Sequence, residues 1–191
     1  SDVCSSDLEQ GMGLAAAAFA KATRRQQVMV ATSSIGPGAT NMVTAAGVAM
    51  SNRLPVLFLA GDTFVDRLPD PVLQQVEHFG HPSTTVNDSF RSVVRYWDRI
   101  THPAQVLTSL PQAVGTLLDP ADCGPAFIGL PQDVAAQAYD YPEAFFRTVV
   151  HEIARPRPDL GQLARAAEII REAKRPVIVR SEEHTSELQS R

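Results

Sequence analysis

Two short stretches hold residues able to do chemistry. The first, EQGMGLAAAAFAKATRR, opens at Glu9 and is poor in side-chain bulk, with Gly11, Gly13 and alanines from 15 to 18. A first-turn glutamate is an ordinary partner for the helix dipole. Walled by glycine and alanine, it would also let another backbone or a flat ligand come close. The second stretch, SSIGPGATN (33–41), lies between an expected strand and an expected helix. Gly36 and Gly38 permit close backbone approach, and the following helix start offers N–H groups to an anion or a polar ring edge. The order of glycines matches neither the dinucleotide fingerprint nor a phosphate loop, which also needs a lysine. A plain tight turn and a plain dipole role for Glu9 therefore both stay open.

Other reactive side chains are less organised. His78, His81 and His102 lack the spacing and carboxylate company of metal ligands, and surface or packing roles are expected for them. Cys123, in the turn DPADCGP, has no evident catalytic partner. The other cysteine, Cys4, belongs to a terminal tail described below, so no internal disulfide is expected and a reducing, cytoplasmic compartment suits the chain.

The elements that must position these residues alternate. Residues 9–25 read as a helix, 26–33 as a short buried strand, 40–53 as a buried helix and 55–62 as a second strand. That second strand, PVLFLAGD, is continuously apolar, as in a parallel sheet covered on both faces. Helix, strand, helix, strand in this order predicts an α/β layer with right-handed crossovers, a parallel sheet with helices on both faces. Residues 63–92 are turn-rich with one short helix expected in RLPDPVLQQVEHFGHPS. A helix is expected at 101–119, with Pro103 in its first turn and Pro111 a possible kink, and a third buried strand at 125–131. Ligands in such folds gather near strand ends. Prolines make YDYPEAFF and ARPRPD an extended linker. Beyond it, Asp159 is expected to cap a helix with Leu160, Leu163, Ala167 and Ile170 on one face, and RPVIV (175–179) to begin a strand.

The two ends are related. Ser1 to Leu8 can be encoded by TCA GAC GTG TGC TCT TCC GAT CT, whose reverse complement reads Arg-Ser-Glu-Glu-His-Thr-Ser-Glu, the sequence at 180–187. The DNA resembles a sequencing adapter, so 1–8 and 180–191 are read as artefactual tails and the rest as an internal fragment of a longer protein. The formal net charge of −4 over 191 residues loses two basic and five acidic residues with the tails and becomes −1. Without a basic stripe, nucleic acid is not an expected partner. No apolar run approaches the roughly 20 residues of a membrane helix.

Taken together, EQGMGLAAAAFAK, SIGPGATNMVTAA, NRLPVLFLAGD, PDPVLQQVEHFG, CGPAFIGLPQDV and AKRPVIV resemble the pyrimidine-binding domain of thiamine diphosphate enzymes of the acetohydroxyacid synthase type, running into their central domain. TSSIGPGATNMVTAA, NRLPVL, PDPVLQQVEHFG, RYWDRI and QAYDYPE carry a narrower resemblance, to a branch that hydrolyses a cyclic 1,2-dione. The resemblance implies that 9–150 is the pyrimidine-binding domain without its first elements, 151–158 a linker and 159–179 the start of the central domain.

It further implies that Glu9 meets N1′ of the cofactor's aminopyrimidine and shares a proton with it, in a dry site where desolvation raises the carboxyl pKa. Small neighbours would let the acid sit close against the ring. Gly36, Pro37, Gly38 and Asn41 would lie beside the pyrimidine, and Gln74 would face the reacting carbon. The family's FQE element reads Leu73-Gln74-Gln75 here, so its acidic third residue is replaced. His78 is a further proton-transfer candidate near that loop. The thiazolium accepts the electrons released when a C–C bond breaks. Mg²⁺ and the diphosphate are held in the family at a Gly-Asp-Gly…Asn motif in a third domain, and that motif does not occur here. The chain by itself is thus expected neither to bind the cofactor tightly nor to turn over, and none of its residues is assigned to the metal. Family active sites form between subunits, so a homodimer or homotetramer is expected, acting on a small cyclic dione. A synthase or lyase of 2-oxo acids, and a non-catalytic α/β binding module, remain as alternatives.

Overall fold

A computed structural model describes residues 8–68, 76, 78, 80–153 and 157–177. The chain divides into two units, 1–153 and 154–191.

The first unit is built on four parallel strands: β1 (Met29–Ser33), β2 (Val56–Asp62), β3 (Tyr96–Arg99) and β4 (Ala126–Pro131). Their spatial order is β1-β2-β4-β3, with Ala31 opposite Phe58, Phe58 opposite Phe127, and Trp97 opposite Phe127. The helices are α1 (Glu9–Ala22), α2 (Pro37–Asn41), α3 (Val43–Ser51), α4 (Val106–Leu118) and α5 (Gln132–Ala135). Successive side chains of a strand point to opposite faces, and β2 shows the consequence. Val56, Phe58 and Ala60 pack with α1 and α3, while Leu57 and Leu59 pack with Ala113 and Leu117 of α4. Both faces are covered, as the unbroken apolar run predicts.

The layer formed by α1 and α3 explains the small residues. Gly13, Ala16, Ala17 and Ala20 of α1 are buried, as are Ala45, Ala46 and Ala49 of α3. A Cβ on Gly13 would lie 2.7 Å from Ala45 Cβ and 3.3 Å from Phe58 Cε1. Close approach between α1 and α3 is one thing these residues serve.

Three expectations differ from the structure. The helix foreseen at 40–53 begins three residues earlier and is split at Met42 into α2 and α3. β1 is only partly buried: it is an edge strand among the described residues, with Ala31 in the core but Met29 and Val30 42% and 48% exposed. β3 was not foreseen. All four of its residues are only partly buried, so it lacks the apolar signature of β2 and β4. Pairing with β4 and the stacking of Trp97 on Phe127, 6.2 Å between ring centroids, bring it into the sheet.

In the second unit, α6 (Leu160–Glu172) starts at Asp159, whose Oδ1 accepts from the Gln162 N–H at 2.9 Å. Leu160, Leu163 and Ile170 are exposed. Arg175–Val177 carry no strand pairing, and the rest of the expected strand lies outside the described residues.

Candidate functional site

Glu9 is the first residue of α1 and Asn41 the last of α2, and the two meet although 32 positions separate them. Asn41 Nδ2 donates to Glu9 Oε2 at 2.9 Å. Between them runs the glycine turn. Gly36 precedes α2 with φ 75° and ψ −125°, a conformation that a side chain strongly disfavours. Pro37 takes the first helical position, where its fixed φ suits the helix and its missing N–H costs nothing. The Thr40 N–H then closes the turn on the Gly36 carbonyl at 3.0 Å. A Cβ on Gly38 would stand 3.2 Å from Glu9 Oε1 and 3.0 Å from Ser34 Oγ, so glycine there leaves one edge of the carboxylate uncovered.

These five residues, Glu9, Gly36, Pro37, Gly38 and Asn41, are thus gathered at one place. A carboxylate, an amide that fixes it and an open glycine edge fit the polar rim of a flat heterocycle. The electrostatics run opposite to the expectation of a raised carboxyl pKa. The Asn41 amide, followed by Glu9's own backbone N–H, holds the Glu9 carboxyl below its ordinary range, and desolvation opposes this only weakly. The reason is geometric: the Glu9 side chain stays partly exposed. At neutral pH it is a carboxylate, an acceptor of protons.

Gln74, the other expected catalytic residue, lies outside the described residues. His78 and His81 are exposed, with ring centroids 5.0 Å apart. His102 caps a 3-10 turn (Pro103–Gln105), its Nδ1 accepting from the Ala104 N–H at 3.2 Å. Cys123 is buried and its Sγ donates to the Leu117 carbonyl at 3.3 Å; burial pushes the thiol pKa up, so it stays unreactive. Among the described residues no group of three or more His, Cys, Asp or Glu side chains could hold a metal ion, and no helix is long and apolar enough to cross a membrane.

A second polar cluster escaped the reading of the sequence. Asp62, wholly buried at the end of β2, pairs with Arg99 at the end of β3: Arg99 Nε to Asp62 Oδ2 is 2.7 Å. Arg99 also pairs with Asp88 at 2.9 Å. Asp88 lies in a 3-10 turn (Val86–Ser92) and closes a capping box with Thr85. Both charges stand in plain view, Asp62 closing PVLFLAGD and Arg99 closing YWDR, but the second segment lacks the apolar pattern of a strand, so only the assembled sheet pairs them.

Comparison with known proteins adds the context. A family model described as "Thiamine pyrophosphate enzyme, N-terminal TPP binding domain" matches residues 2–81. The 3D-(3,5/4)-trihydroxycyclohexane-1,2-dione hydrolase of Geobacillus thermodenitrificans (strain NG80-2) is 51% identical over 171 residues, which is 90% of this chain. Enzymes of the same name from Clostridium tetani (strain Massachusetts / E88) and Bacillus cereus (strain AH820) are each 50% identical over the same share. The chain spans 27% of the length of these relatives. In its parallel α/β layer, and in a matched segment that runs through Glu9 and the glycine turn, the chain is similar to the N-terminal domain of thiamine pyrophosphate enzymes.

Proposed function

We propose that this chain is the pyrimidine-binding part of a thiamine diphosphate-dependent hydrolase that opens 3D-(3,5/4)-trihydroxycyclohexane-1,2-dione to 5-deoxyglucuronate, a step of myo-inositol breakdown. The observation that carries the cofactor reading is the Glu9–Asn41 pair beside the Gly36–Gly38 turn, 2.9 Å from amide to carboxylate. What supports the substrate is the identity of about half to hydrolases of that name.

When bound, thiamine diphosphate supplies a carbon nucleophile and an electron sink for C–C cleavage. The residues of this chain orient and protonate. Asn41 holds the Glu9 carboxylate toward the glycine edge. Glu9 would take up a proton and share it with the ring nitrogen N1′, acting as an acid–base group. Gly36, Pro37 and Gly38 would form the close wall for the ring, and Gln74 would serve at the reacting carbon. For Glu9 to hold a proton near neutral pH its open side must be dried, because desolvation disfavours the charged form. In this reading another subunit of a homodimer or homotetramer closes that side, and a domain beyond this chain holds the diphosphate with Mg²⁺. Residues from 159 onward begin the central domain, and the enzyme works in the cytoplasm.

The test is Glu9→Gln in the intact enzyme. An isosteric amide keeps the fold but cannot exchange the proton, so kcat should fall by about 10²–10⁴ with an unchanged melting temperature. Activity within a few-fold of wild type would remove Glu9 from the mechanism. Acetolactate formed from pyruvate, in place of ring opening, would move the substrate to the 2-oxo acids.

A further inference from the structure

Arg99 occupies an unusual place in the connectivity. Its Nε donates to Asp62 Oδ2 at 2.7 Å, its Nη1 to the Ser83 carbonyl at 3.3 Å, and its Nη2 to Thr85 Oγ1 at 2.6 Å and to Asp88 Oδ2 at 2.9 Å. Asp62 is the last residue of β2, and Ser83 and Thr85 stand where the chain comes back to the sheet. One guanidinium therefore grips the chain immediately before and immediately after the excursion that leaves at Thr63. The departing end is held a second time, since the Asp133 carboxylate accepts from the Val65 and Asp66 N–H groups, both at 3.1 Å.

The grip is built into the core. Asp62 is wholly buried, and β4 makes room for it with Gly129, where a Cβ would come within 2.9 Å of Asp62 Oδ2. Asn87, also wholly buried, donates from Nδ2 to the Gly61 carbonyl at 2.9 Å. Gly61 in turn touches the glycine turn: a Cβ there would lie 3.0 Å from the Ile35 N atom. A continuous set of contacts thus leads from Arg99 through the end of β2 to the turn that carries Asn41.

We infer that Arg99 is a positioning residue. It pins the chain on both sides of residues 63–82 to the tip of β2, and it keeps that tip still against the segment that leads into the Gly36–Gly38 turn. Only the planar, multidentate fork can do this, because an ammonium has the charge but not the geometry for partners in several directions. The consequence for catalysis rests on the function proposed above; the mechanical claim does not.

Trypsin separates the two. Arg67 is exposed on the excursion, whereas Lys21 is an exposed site in α1. In the full 191-residue chain, Arg99→Lys and the more peripheral Asp88→Asn should each raise native-state cleavage after Arg67 about tenfold relative to cleavage after Lys21. An unchanged ratio in both variants overturns the inference. So does an equal rise at both bonds, which would mean only general loosening. In the intact enzyme, Arg99→Lys should lower kcat for the dione about tenfold with KM within about twofold; an unchanged kcat denies the positioning role. Should the wild-type enzyme not open the dione, the proposed function falls, and the cleavage ratio alone decides for or against the clamp.

Discussion

Glu9 and Asp62 are both acids at one terminus of a regular element, each held by a nitrogen-bearing side chain, and they differ in what surrounds that contact. Asn41 gives Glu9 a neutral amide, and the side chain stays partly exposed. Asp62 is wholly buried, meets a guanidinium at 2.7 Å, and accepts the Thr63 N–H at 2.8 Å. A buried charge without its partner is very costly, so the second site has one stable arrangement. The first can exchange water for a ligand and change its protonation when covered. The acid proposed to react is held by one side-chain donor, whereas the acid that holds structure is saturated.

The largest effect should come from breaking the saturated site. Arg99→Ala leaves Asp62 buried and unpaired, and a loss of about 3–5 kcal/mol is expected in denaturant unfolding. A loss under about 1 kcal/mol, the range of exposed pairs, would erase the contrast between the two acids. Next come two glycines of α1. Gly13→Ala gains about 1 kcal/mol of helix propensity, but its methyl group meets Ala45 Cβ at 2.7 Å. Overpacking costs about 1–3 kcal/mol, so a net loss of about 1 kcal/mol is expected. Gly11→Ala, whose nearest neighbour would be Leu8 Cβ at 3.8 Å, should instead stabilise the chain. Equal signs in the two melting curves would show that α1 and α3 do not pack as described.

Acid should find the saturated cluster too. Burial alone would raise the Asp88 carboxyl, but the Thr85 N–H, Arg99 and Arg91 outweigh it and hold the pKa below the ordinary aspartate value. A lowered folded pKa contributes stability that is complete above the unfolded value and vanishes as pH falls through the folded one. The urea midpoint should therefore decline below the ordinary aspartate range, and Asp88→Asn should flatten that decline. The smallest change is expected at the open site. Asn41→Ala removes the donor that lowers Glu9, so the Glu9 resonance should titrate at higher pH with little change in melting temperature. An unmoved titration would mean that Asn41 does not set the charge of Glu9.

Much of the layer was readable from local pattern. PVLFLAGD and PAFIGLP are continuous apolar runs and became the two central strands, and THPAQVLTSLPQAVGTLLD became the helix over one face. Tyr96–Arg99 was not readable, because a short edge strand owes its existence to the strand beside it. The turn at Gly36–Gly38 was visible as a turn, and resemblance to a family singled out Glu9 and Asn41. Their contact crosses 32 positions, and the Asp62–Arg99 contact crosses 37. No periodicity reports such distances.

Backbone chemistry and apolar spacing along the chain decided which segments would be strand or helix, and required glycine at position 36, since both act over a few residues. The depth of each acid was settled only when strands from distant parts of the chain were laid side by side. Burial and the alignment of donors are properties of the assembled layers, and they made Asp62 a locked partner and left Glu9 an open one.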